Sequence, residues 1–128
     1  LGRLGGVMPT RLSDCPSSPN CVSSQAGDPQ HRIPPLKVSG PPDEVMDRVR
    51  QVVLSLPGAR IEAATDTYLH ARVRTPLFRF VDDLEILLDS EAGLVHVRSA
   101  SRIGDWDLGA NRRRVEWLRR RLENQGPG

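Results

Sequence analysis

Hydrophobic and polar positions change period along this chain, and each change predicts an element. SGPPDEVMDRVRQVVLSLPG places Val45, Val49, Val52, Val53 and Leu56 on one helical stripe. Proline at the first turn, Asp43 and Glu44 near the positive end and Pro57-Gly58 as the stop complete a helix. The period then shortens to two. ARIEAATD and TYLHARVRT flank a turn near Thr65-Asp66, with Leu69, Ala71 and Val73 alternating against His70, Arg72 and Arg74. FRFVDDLEILLD follows, then SEAG, then LVHVRSASR, where Val95 and Val97 alternate with His96 and Arg98. Short glycine-containing connections predict antiparallel hairpins. The helical period returns over 108–123, where Leu108, Val115, Leu118 and Leu122 share a stripe with Asn111, and Asp107 is the expected N-cap.

The first 30 residues show neither period. They are rich in Pro, Ser, Asn, Asp and Gly, which is loop chemistry. RIPPLKVSG predicts a short edge strand over 36–38. The reading is an irregular segment with two cysteines over 1–30, one α+β domain over 31–123 and a tail over 124–128. The order β-α-β-β-β-β-α gives an antiparallel sheet of about four to five strands with two helices on one face, the other face being open. This order resembles a TATA-binding-protein-like fold, and a cut-down helix-grip fold is the alternative. Neither carries a function by itself.

Composition narrows the function classes. The chain has 128 residues, 38% hydrophobic and 27% charged, enough for one folded core. A net charge of +2 and only 4% aromatic residues argue against nucleic acid as a partner. Seventeen of the 18 basic residues are Arg. Eight of them lie between Arg98 and Arg121, against Asp105, Asp107 and Glu116. No apolar run reaches the roughly 18–20 residues of a membrane span. The chain opens LGRLGGVMPTRL rather than with Met, which reads as a processed or cut-down chain whose targeting segment lies upstream.

Three motifs together, CPSSPNCVSS (15–24), FRFVDDLEILLD (78–89) and RSASRIGDWDLGANRRRVEWLR (98–119), resemble the bacterial and plastid family known as domain of unknown function 1499. The likeness runs from about Leu12 to Leu122. It implies no activity. It does imply an extracytoplasmic setting: periplasmic, membrane-anchored or in the thylakoid lumen.

Cys15 and Cys21, the only cysteines, read as a disulfide stapling a long loop, with free thiols and a metal or redox pair as alternatives. A zinc site needs four ligands, and only His31 stands near as a third. Asn20, Ser23 and Ser24 are suited to fixing the loop by side-chain bonds to backbone. By alternation Asp82 falls on the core face of its strand, so its carboxylate requires a cation; Arg98 or Arg102 is the expected partner. Ser99 and Ser101 continue the core face of Val95 and Val97. Asn111, on an apolar stripe, is expected to tie the last helix to the SASR strand end. His70 and His96 fall on the exposed side, and surface placement is expected of all three histidines. No nucleophile elbow, phosphate loop or zinc-hydrolase signature is present.

The expected site is therefore Asp82, Arg98, Ser99, Ser101, Arg102, Asp107, Asn111 and Arg112, with no catalytic residue, metal or cofactor assigned. The expected role is binding of an anionic small molecule, a lipid headgroup or an acidic partner, with arginines neutralising the anion and Ser99, Ser101 and Asn111 orienting it. The alternatives are an enzyme using a carboxylate of the cluster as acid or base, and a structural or assembly protein in which the cluster is an internal brace. The arginines of the last helix also suit an anionic membrane surface.

Overall fold

Val45, Val49, Val52 and Val53, the stripe read from the sequence, are the buried residues of helix α1 (Pro42–Leu54). In this computed structural model, which describes residues 11–76, 79–104 and 107–123, α1 packs against one face of a sheet beside a second helix, α2 (Ala110–Glu123). The strands are β1 (Cys21–Ser23), β2 (Ala59–Ala64), β3 (Tyr68–Arg74), β4 (Val81–Asp89) and β5 (Leu94–Ser101). All pairings are antiparallel, in the sheet order β1-β5-β4-β3-β2. The fold is α+β in the expected order β-α-β-β-β-β-α. The expected tail at 124–128, the first ten residues, and Asp105 and Trp106 lie outside the described residues.

Register sorts the side chains. Asp82 stands opposite Ser101, Leu84 opposite Ser99 and Ile86 opposite Val97 on the face beneath the helices. Leu84, Ile86, Val95 and Val97 join Val115, Leu118 and Leu122 of α2 in the core. Glu85 pairs with Arg98 and Asp83 with Ala100 on the other face. At the end of α1, Gly58 turns the chain into β2 with φ +81, and a Cβ there would run into the Arg74 carbonyl.

Two expectations are corrected. The edge strand is Cys21–Ser23, not residues 36–38; Leu36 makes only an isolated bridge to Val95. Pro34 and Pro35 restrict the segment before Leu36, whereas Cys-Val-Ser has free donors for pairing with β5. Nor is the far face of the sheet open throughout. Leu12 is buried, Ser13 donates its N–H to Glu85 at 3.3 Å, and Arg98 donates to the Asp14 carbonyl at 3.2 Å. The segment before β1 thus covers part of that face, and the Cys15–Cys21 disulfide staples it to the sheet edge.

Candidate functional site

The predicted cluster lies on both faces of the sheet. Beneath the helices, Asn111 is fully buried and links four segments. Its Oδ1 accepts from Ser99 Oγ at 2.7 Å and from Arg114 at 2.8 Å. Its Nδ2 donates to Ser101 Oγ at 2.9 Å, to Asp107 at 2.7 Å and to the Asn20 carbonyl at 3.2 Å. The expected tie between the last helix and the SASR strand end is present. Asp107 also accepts the N–H groups of Gly109 and Asn111 at 2.8 and 3.1 Å, so the protein's own carboxylate occupies the start of α2. Burial pushes the Asp107 carboxyl up, but these hydrogen bonds outweigh it and hold it below the usual carboxylate range.

Asp82 is buried on the core face as expected, but its partner is Arg114, at 2.7 Å, rather than Arg98 or Arg102. The reason is alternation: Asp82 points toward α2, while Arg98 and Arg102 point away from it. On the far face Arg98 holds Glu85 at 3.2 Å, and Glu85 also accepts the Tyr68 hydroxyl at 2.6 Å. Burial first, and then Glu85, push the Tyr68 hydroxyl above its ordinary value. Arg102 grips both oxygens of Asp83 at 2.9 and 3.0 Å, and His70 Nε2 donates to the same carboxylate at 2.8 Å. Burial raises the Asp83 carboxyl, and Arg102 and His70 more than reverse it. Arg112 is exposed and lines a small surface pocket with Asp107, but among the described residues it reaches only the Gln30 carbonyl, at 3.5 Å.

Of the predicted residues, Asp82, Ser99, Ser101, Asp107 and Asn111 come together, and Arg98, Arg102 and Arg112 do not join them. Arg114 was the missing member. Its spacing of three from Asn111 places it beside the buried stripe, a signal present in the sequence that the expected site did not use.

Above this network opens a pocket of about 360 Å³. Asp82, Ser101 and Asp107 line it, and Phe80, Ile103 and Leu108 form its apolar rim. Those three are among the four exposed large hydrophobic residues of the described chain, the other being Leu54. Leu108 also has φ +56, an unfavourable conformation for a residue with a Cβ. The Asp82 Oδ1 atom is buried and has no hydrogen-bond partner among the described residues. A larger cleft of about 570 Å³ lies between α1 and the β2–β3 turn, lined by Asp43, Asp47, Asp66 and Arg50, without a buried unmet polar atom.

His31 is buried rather than on the surface. Its Nε2 lies 2.7 Å from the Ser18 carbonyl and its Nδ1 2.6 Å from Asp28. The Ser18 carbonyl raises its pKa most; burial opposes this, and Asp28 adds to the rise. The imidazolium is thereby favoured, and it pins the loop that the disulfide closes. Ser24 likewise accepts the Val97 N–H at 2.9 Å and meets His96 Nδ1 at 3.0 Å.

The architecture is that of an α+β domain with a pocket between the sheet end and the last helix. Residues 11–122 match the family described as a protein of unknown function (DUF1499), and the chain belongs to that family. No curated protein matches the chain.

Proposed function

We propose that the domain works by binding a small molecule in the pocket above Asp82, and that the ligand has an apolar body and a hydrogen-bond donor. The observation that carries this reading is Asp82 Oδ1, a buried acceptor without a partner among the described residues, on a side chain that lines an opening rimmed by Phe80, Ile103 and Leu108. A buried unpaired acceptor costs roughly 1–3 kcal/mol. A ligand hydroxyl or ammonium placed there would recover it, and the rim would bury the ligand's apolar part. The volume falls within the roughly 300–1,000 Å³ of small-molecule sites.

An anionic ligand, the expectation from the arginines, has less support. Arg98, Arg102 and Arg114 each already hold a carboxylate, and Asp107 fills the start of α2. An acid–base enzyme is the second reading, favoured by an open pocket with a carboxylate at its base. The setting we propose is extracytoplasmic, where a disulfide such as Cys15–Cys21 persists.

The test is a thermal-shift panel of amines, alcohols, carboxylates and phosphates, each on the same short alkyl or aryl body. Stabilisation by amines or alcohols, lost in Leu108→Ser, is the expected result. Stabilisation by the anions alone, or by no member, would count against the pocket.

A further inference from the structure

The six arginines of α2 divide into two kinds. Arg114 is bound to Asp82, and Arg119 to Glu116 and Glu123 at 3.1 and 3.3 Å. Both acids of the helix therefore turn to Arg119. Arg112, Arg113, Arg120 and Arg121 are left without an ion pair to any described carboxylate, and all four are exposed. Arg113, Arg120 and Arg121 recur at i, i+7 and i+8, away from the buried stripe of Asn111, Val115, Leu118 and Leu122, and Trp117 at i+4 is partly buried against the core. Arg121 stacks on the Trp117 ring, 3.7 Å from its centroid. At the N-terminal end of the stripe Arg113 donates to the Leu108 carbonyl at 2.5 Å, so the cationic face begins where the apolar rim ends.

We propose that this arginine face of α2, with the exposed apolar side chains of Ile103 and Leu108 near its start, docks the domain on an anionic lipid bilayer. The charges match anionic headgroups, and Ile103 and Leu108 supply side chains that can enter the acyl boundary. An acidic protein surface would match the arginines but leave Ile103 and Leu108 in water; a bilayer accommodates both. No described helix is long and apolar enough to cross a membrane, so the association is with the surface. Docking does not depend on a ligand occupying the pocket.

Vesicle flotation tests it, using the full chain with phosphatidylcholine alone and with added phosphatidylglycerol. Binding is expected only with phosphatidylglycerol, and should weaken as salt rises. Each arginine at such a surface contributes about fivefold. Arg113→Glu with Arg120→Glu should therefore lower partitioning at least about twentyfold. Arg50→Glu with Arg60→Glu, exposed positions on α1 and β2, makes the same change in net charge and should leave binding nearly intact. Ile103→Ser with Leu108→Ser should weaken binding without changing its salt dependence. Equal loss in both charge-reversal doubles, or no binding by the unaltered chain, would overturn the proposal. A dimer in sedimentation equilibrium that Arg113→Glu abolishes would overturn it too, by assigning the face to a second copy.

Discussion

Arg114 reaches from α2 to Asp82 on β4 at 2.7 Å, and it satisfies only one of the two carboxylate oxygens. Both side chains are at least nine-tenths buried. Removing either partner leaves the other charge out of water. Arg114→Ala is expected to cost about 3–5 kcal/mol in urea unfolding. Asp82→Asn should cost less, because Arg114 keeps its bonds to Ser99 and Asn111. The double variant should fall short of the sum of the single effects. Strict additivity would show that the two residues do not act as a pair.

Asn111 is the joint of the inner network. Asn111→Ala removes the side-chain partner of Ser101, Arg114 and the Asn20 carbonyl and one of the two donors to an Asp107 oxygen, while Ser99 keeps Arg114, and is expected to cost about 2–3 kcal/mol. Asn111→Asp should be worse near neutral pH, because its carboxylate would meet Asp107 where an amide N–H now stands at 2.7 Å. Acid should relieve part of that loss. Melting temperatures of both variants across pH would show this.

Protonation of His31 should stabilise the fold. Its folded pKa lies above the ordinary 6.5, so its contribution is fully present below that value and is lost as pH rises through the folded pKa. The melting temperature should therefore decline on the alkaline side of about pH 6.5, and His31→Gln should flatten that decline. Asp83 and Asp107 act in the opposite window. Their folded pKa values lie below 3.8, so their contribution holds above that value and disappears as pH falls through the folded pKa. An NMR titration placing His31 below 6.5 would contradict the first part.

The disulfide closes a short loop, with a sequence separation of 6. Cys15→Ser with Cys21→Ser should lower stability by about 2 kcal/mol through the unfolded chain. Protein made in an oxidising compartment should show no free thiol when titrated denatured and unreduced.

Much of the architecture was legible in the sequence because it is local. The stripe of α1 and the alternation of β3 and β5 each lie within one segment, and helical spacing alone placed Asn111 in the core. β1 was not legible. Three residues, Cys21–Ser23, are too short to show a period, and they become a strand only because β5 offers an unpaired edge. The pocket rim was equally hidden, since Phe80, Ile103 and Leu108 come from three segments of different spacing.

Sequence by itself determined that Asp82 faces the core and that Ser99 and Ser101 share its side, because side-chain direction in a strand follows from counting. Only the tertiary structure decided which cation answers Asp82. Arg98 and Arg102 are near in the sheet but lie across its plane, while Arg114 arrives on the helix that covers Asp82. Pairing follows the face and the packing of elements, which are long-range contacts that no local period records. The same packing left one oxygen of Asp82 without a donor among the described residues.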